Sequence, residues 1–435
     1  MKNMTIKTSL TALTLAMGLA AAQQASAANW LMLQGTEPAG SAPRAKVWGF
    51  IQAQYQKDFS KPFAHPSGND VYIPPKLIGP NLDDQEQFNV NRARIGVRGS
   101  NFPLDSKTNY FVLLEMGRNG ITEPGNAFAK VTDASVTFNH IPGARVRVGL
   151  FKNPGPEEGL QAIHVFDYIN FTTVTNQLML ERFADSNDMN YVGPIPGKPL
   201  ATVPNANMNQ FSNSVGAFRD TGVQIFDTFN TGGLETAYAI KVGNGNGMQI
   251  TDNDSNKDVY LYISTEKVFG GKGPRREGWK FFAWSQTGKR TDPYTPTTEY
   301  DRKRYGAGTK YLKRPFRVTA EYMKGKGVIF QGPHKPQNQY NDFDASGWYV
   351  EGGWYIPKTN FEVDLRYDTY TRQTNAAGSE DRFKTTTVGA QYHFNKKTRF
   401  TLEYDIRNAD SDSAGTQKQF DGIGNRVALQ VTAIF

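Results

Sequence analysis

The chain has 435 residues, a formal charge of +8 and no cysteine, which excludes disulfides, thiolate metal sites and cysteine nucleophiles. Mean hydropathy is −0.56, yet aromatics reach 12% and glycines number 42, without the helical periodicity and continuous apolar strands of a soluble α/β enzyme. A wall with lipid on one side and water on the other needs only half of each strand to be apolar, which suits this composition.

The N-terminus opens with Lys2 and Lys7, an apolar stretch from about Leu10 to Ala22, and an A-x-A site at Ala25-Ser26-Ala27. That order reads as a cleaved export signal, residues 1–27, with the mature chain starting at Ala28. The apolar stretch is too short to remain as a membrane anchor, and no later run is long and apolar enough for a transmembrane helix. Loss of the two lysines leaves a charge of +6. The other basic residues are spread along extended segments rather than gathered in a tail, which favours a lumen lining over nucleic acid. Residues 28–45 are expected to form a short periplasmic segment.

From Lys46 onward one pattern repeats: an alternating segment, a short turn, an alternating segment, a long polar loop. Strands are predicted over 46–57, 86–99, 108–118, 130–140, 144–152, 219–229, 234–243, 256–266, 278–289, 301–312, 316–326, 345–356, 360–372, 381–394, 399–409 and 424–435, about sixteen in all. Turn formers mark the short connections, as at Ile141-Pro142-Gly143, Asn230-Thr231-Gly232-Gly233, Lys313-Arg314-Pro315, Pro357-Lys358-Thr359 and Asn395-Lys396-Lys397-Thr398. Polar loops at 58–85, 244–255, 327–344 and 410–423 separate the hairpins. An even strand number puts both termini and every short turn on the periplasmic side.

The alternation is clearest toward the C-terminus. Phe361, Val363, Leu365 and Tyr367 oppose Glu362, Asp364, Arg366 and Asp368; Phe400, Leu402, Tyr404 and Ile406 oppose Arg399, Thr401, Glu403, Asp405 and Arg407. Nearer the N-terminus, Ala93, Ile95 and Val97 oppose Arg92, Arg94 and Arg98. The last strand sets Val427, Leu429, Val431, Ala433 and Phe435 against Arg426, Ala428, Gln430 and Thr432. A soluble sandwich also alternates. Aromatics beside the short turns (Phe138, Phe316, Phe361, Phe394, Phe400, Phe435) and segments of about 9–13 residues favour tilted transmembrane strands. The fold expected is an all-β, transmembrane antiparallel barrel with an aqueous channel. One connection, from about Asn153 to Phe218, has no clean barrel strand; a loop that long is expected to fold into the lumen as a constriction, or else to form a surface cap or an extra hairpin.

Several motifs in order resemble the phosphate-selective porin O and P family. The stretch RVRVGLFKNP from Arg145 to Pro154, followed by Gly155-Pro156-Glu157-Glu158, resembles its G-x-F-K-x-P strand end. NRARIGVRG from Asn91 to Gly99 looks like its second strand. Arg219-Asp220-Thr221-Gly222 with Ala239 to Gly245 resembles a strand pair, and Gly347 to Gly353 a late strand, of the same family. The resemblance implies a trimeric, sixteen-stranded anion channel in the bacterial outer membrane, with arginines along the lumen and lysines at the constriction. It carries Arg92, Arg94, Arg145, Arg147, Lys152, Arg219 and Lys241 over as lumen residues. In one respect the chain departs from that pattern. The long loop holds Glu157, Glu158, Asp167, Glu181, Asp185 and Asp188 against Arg182 and Lys198, which puts a dedicated phosphate site in doubt.

A channel works through field and width rather than covalent chemistry. Arg92, Arg94, Arg98, Arg145, Arg147 and Arg426 are expected to form a basic stripe, joined by Lys152, Arg219 and Lys241. Guanidinium groups stay charged and bind oxyanions through paired donors. Glu321, Glu351, Glu362, Asp364, Asp368, Glu403 and Asp405 would face the stripe across the pore, or pair locally with Arg317, Arg366, Arg399 and Arg407. The expected solutes are small inorganic or organic anions, phosphate included, with a non-selective diffusion porin as the alternative. An outer-membrane hydrolase would need a nucleophile beside one of His65, His140, His164, His334 and His393, and no such motif stands near them. Asp252 to Asp258 lacks the Gly and Glu of an EF-hand, so neither metal nor cofactor is expected. Gly270 to Arg276 reads as a basic periplasmic turn.

Overall fold

Burial follows the alternation of the strands with the usual sense reversed. Val363 and Leu365 are exposed, whereas Glu362, Asp364, Arg366 and Asp368 beside them are buried. An apolar outer band around a polar interior is what a lipid-facing barrel wall requires. The computed structural model describes residues 29–33, 44–61, 63–64, 71–72, 86–100, 105–119, 121–122, 124, 127–180, 218–248, 252, 255–271, 275–291, 298–329 and 342–435. The expected signal segment and residues 181–217 of the long loop lie outside the described residues.

The wall consists of β1 (Lys46–Asp58), β2 (Glu86–Ser100), β3 (Thr108–Glu115), β4 (Lys130–Phe138), β5 (Arg145–Lys152), β6 (Arg219–Thr231), β7 (Leu234–Gly243), β8 (Asp258–Gly270), β9 (Glu277–Thr291), β10 (Glu299–Lys313), β11 (Phe316–Lys326), β12 (Asp344–Tyr355), β13 (Phe361–Arg372), β14 (Asp381–His393), β15 (Thr398–Ser411) and β16 (Arg426–Ile434). Each pairs antiparallel with its sequence neighbours, and β1 closes on β16 in register from Phe50↔Ile434 to Asp58↔Arg426. All sixteen predicted strands are present, with ends shifted by at most four residues. Closure leaves no unpaired edge, so every backbone group in the wall can be satisfied without water.

Local chemistry explains two details of the wall. Gly232 and Gly233 both have positive φ (62° and 78°) between the paired Thr231 and Leu234, the two-residue turn whose twist suits a tight hairpin. At the seam the Phe435 amide donates to the Gly49 carbonyl at 3.0 Å. A Cβ at Gly49 would stand 2.3 Å from the Phe435 ring, so only glycine leaves room for the terminal aromatic.

The interior differs from a purely polar lumen. Residues 153–180 run inside the barrel as short helical pieces, Glu157–Leu160, Ile163–Val165 and Thr175–Met179. Leu160, Phe166, Phe171, Val174 and Leu178 form one apolar cluster with inward aromatics of the wall, among them Phe50, Tyr262, Phe282, Trp284, Tyr349 and Tyr370. Burial of these side chains offsets the entropy of ordering a long connection. The N-terminal segment also departs from expectation. Instead of lying outside in the periplasm, residues 29–32 are buried within the barrel, where Asn29 Nδ2 donates to the inward Ser264 hydroxyl at 3.4 Å. The polar loop after β15 folds as a helix, Ala414–Phe420, because Phe420 packs on Phe383 with ring centroids 5.1 Å apart.

Candidate constriction and lumen walls

The inward faces of β2–β7 carry a connected series of cations. Arg98 and Arg145 neighbour Arg147, Arg147 neighbours Lys241, and Lys241 neighbours Arg219, which stands within electrostatic reach of Arg92, Arg94 and Lys152. Interleaved acids hold several of them. Arg94 Nε pairs with Glu115 at 2.7 Å, Arg219 Nη2 with Asp133 at 2.9 Å, and Arg145 Nε with Asp227 at 3.3 Å. Aromatic faces hold others: Arg147 lies 4.5 Å from the Phe226 ring centroid and Lys241 3.6 Å from that of Phe151. Arg98 stacks over Phe111 at 5.8 Å. Arg92 donates to the neutral Gln52 side chain at 3.0 Å. Lys152 donates to the Gly159 and Gln161 carbonyls at 2.8 and 2.6 Å, at the point where the chain leaves the wall. Lys241 donates to the Asp220 carbonyl at 2.7 Å. Arg426 stands apart from this group, paired in register with Asp58 beside the barrel seam.

Opposite stand the carboxylates of β11–β15, and they do not look across open water at the cations. Segment 153–180 lies against them. Glu321 accepts the Glu157 amide at 3.0 Å, Asp368 the Thr173 amide at 2.9 Å, and Glu403 the Ile169 amide at 2.7 Å and the Asn170 side-chain amide at 3.0 Å. Buried backbone N–H groups outside regular structure need acceptors, and these carboxylates supply them. Arg366 acts as a hub: it donates to the Asn170 carbonyl at 2.8 Å, lies 3.6 Å from Glu158 and 4.0 Å from Glu403, and covers the Tyr168 ring. Arg317 takes up Glu362 and Asp364, and Arg407 pairs with Asp58 at 2.8 Å.

Among the described residues of the loop, the acidic side chains Glu157, Glu158 and Asp167 each stand beside wall cations. Glu157 bonds Lys280 at 2.5 Å and Lys310 at 3.1 Å. Burial pushes its carboxyl up, but the two lysines outweigh burial and hold it down to about 2. Asp167 is held well below the usual carboxylate range by Arg275 and Arg317, again against burial. Burial raises Glu158, with Arg366 opposing. His164 is pushed down to about 3 by burial and by the nearby Arg399, Lys152 and Arg94, so it is neutral at pH 7. Glu181, Arg182, Asp185, Asp188 and Lys198 lie outside the described residues.

The family model of phosphate-selective porin O and P matches residues 79–433. The chain belongs to the phosphate-selective porin O and P family. It is therefore an outer-membrane porin of that family, with the apolar band of its wall facing lipid. Family membership places it among channels rather than hydrolases. Among curated proteins no sequence matches. Solved structures share the fold at low identity. The outer-membrane channel DcaP of Acinetobacter baumannii aligns with a TM-score of 0.53 at 12% identity over 93% of this chain and 100% of that one. An anion-selective porin from Comamonas acidovorans gives 0.52 at 11% over 90% and 99%. OmpT of Vibrio cholerae in a trimer form gives 0.51 at 9% over 90% and 100%.

Sequence reasoning missed part of this porin's interior. Lys280, Lys310, Arg275 and the inward Tyr260, Tyr262, Phe282 and Trp284 were not anticipated. A signal existed in Tyr260-Leu261-Tyr262-Ile263 and Phe281-Phe282-Ala283-Trp284, where β8 and β9 are apolar on both faces. A strand covered on both sides loses its alternation. The cover here is the inserted loop.

Proposed function

We propose that this porin is a passive diffusion channel for small anions, phosphate and similar oxyanions included, with residues 153–180 as its constriction. The observation that carries the reading is the connected group Arg92, Arg94, Arg98, Arg145, Arg147, Lys152, Arg219 and Lys241, against the interleaved acids Glu115, Asp133, Asp220 and Asp227, half as many. Surplus positive charge between low-dielectric walls focuses the field and raises the local anion concentration. A series of sites, each partly satisfied by a neighbour, can pass an ion along and release it. The porin acts as a homotrimer on this reading, the state named for the Vibrio OmpT barrel. Pairing of Arg94, Arg145 and Arg219 with acids favours the second reading, a general diffusion porin with weak preference. The deciding experiment is the zero-current potential in a KCl gradient, with and without phosphate, for the wild type and for Arg92→Ala combined with Arg94→Ala. Anion preference that falls in the variant, together with loss of chloride-current block by phosphate, supports the first reading; an unchanged potential supports the second.

A further inference from the structure

The turn between β8 and β9 carries two arginines that take different courses. Arg276 stays with its own side of the wall, pairing with Glu235 and Glu266 at 2.6 Å each. Arg275 crosses the short-turn mouth. Its Nη1 donates to the Tyr355 hydroxyl at the end of β12 at 2.7 Å, and Glu362 at the start of β13 lies 3.9 Å away. Its Nη2 donates to the Val165 carbonyl at 3.2 Å and pairs with the Asp167 carboxylate. Arg317 shares Asp167 at 3.4 Å. One side chain thus ties a mouth turn, the deepest part of the inserted loop and a distant stretch of the rim.

The depth of that loop gives the contact its meaning. Its amides meet Glu321, Glu403 and Asp368 well inside the wall, and Leu178 meets Arg304 toward the long-loop end. In chain order between Glu157 and Ile169, His164 packs beside Trp48 near the start of β1, and Asp167 and Phe166 reach Arg317 and Arg399, the second residues of β11 and β15. The tip therefore stands at the periplasmic exit. The deeper carboxylates are at most 2% exposed, whereas the Arg275 and Asp167 side chains are 26% and 12% exposed. An ion pair that water and salt can reach is the first to open.

We propose that Arg275 is a positioning residue that sets the width and ion preference of the periplasmic exit by pinning the loop tip. The proposal rests on the channel reading above. Opening of the pair frees the tip, and Asp167 and Glu362 lose a counter-charge, so the exit turns toward cations.

The full-length refolded barrel provides the test. The chain has no cysteine, so Val165→Cys reports tip exposure through its labelling rate with a charged maleimide. Arg275→Ala in that background is expected to speed labelling about 5- to 30-fold, Arg275→Lys to restore much of the protection, and Asp167→Asn to speed it from the loop side. In planar bilayers Arg275→Ala raises conductance and current noise and moves the zero-current potential toward cations. Asp167→Asn raises noise without that move, a distinction that loss of packing alone does not produce. Labelling and potential both unchanged in Arg275→Ala overturn the proposal; should that variant not fold, an unchanged labelling rate in Asp167→Asn does so. A wild type that passes no current sinks the channel reading, while labelling still decides the latch.

Discussion

On β2–β7 the inward cations outnumber the acids between them, and they rest on aromatic faces, a neutral amide and single carboxylates. On β11–β15 the inward carboxylates accept hydrogen bonds from the backbone of an inserted loop. The same residue classes at the same strand period serve two ends: one wall presents charge, and the other spends it as a receptor for backbone N–H groups. A charge count of the lumen therefore overstates the transverse field. Substitutions on the two walls should separate along that line.

Arg366→Ala is the severest way to break the receptor wall. It leaves Glu158 and Glu403 buried without their cation, a loss of about 3–5 kcal/mol in loop seating. A lowered thermal midpoint in detergent and noisy channels are expected, and a midpoint equal to wild type would contradict the hub. Glu321→Gln is milder. Trp284 Nε1, Tyr349 hydroxyl and the Glu157 amide all donate to this carboxylate, at 2.7, 2.8 and 3.0 Å. A carboxamide offers one oxygen and turns an N–H toward a donor, at a cost of about 1–3 kcal/mol. Its signature is noise and reduced midpoint with little change in ion preference.

On the cationic wall, Arg92→Gln sharpens the comparison. Its hydrogen-bond acceptor is neutral Gln52, so the fold should lose about 1 kcal/mol or less. The zero-current potential should nevertheless move toward cations. A large drop in midpoint with an unmoved potential would reverse the roles of the walls.

At neutral pH the smallest effect belongs to His164, which acts only as the pH falls. His164 is about 6.5 in the unfolded chain but is pushed down to about 3 by burial and by Arg399, Lys152 and Arg94 when the loop is seated. The unfolded or unseated state thus binds a proton first. Loop seating is full above about pH 6.5 and weakens as pH falls toward 3, by about 1.4 kcal/mol per unit at most. Glu157, held down to about 2, keeps its lysine pairs through most of that window. His164→Gln is expected to flatten the midpoint between pH 7 and 4; an unaltered slope would assign the acid sensitivity elsewhere.

Much of the wall was legible because each strand states its own solvent preference. Rows such as Val427, Leu429 and Val431 against Arg426, Gln430 and Thr432 need no distant partner to be read. The candidate lumen cations were legible for the same reason, since an arginine on a polar row must point inward. Their partners were not. Asp133 and Arg219 stand far apart in sequence, as do Ile169 and Glu403, and Val165 and Arg275. The turn at Gly270 to Arg276 reads from the sequence as basic and periplasmic, but nothing local says that Arg275 reaches Tyr355.

The sequence by itself determined strand number, the lipid and water faces, and the family, because side-chain period and turn chemistry are local. Tertiary structure alone decided that residues 153–180 lean on the carboxylates of β11–β15 and that residues 29–32 lie inside the barrel. Those choices depend on closure of β1 against β16, which brings remote strands to one interior, and on burial there of aromatics and amides that must find partners away from water.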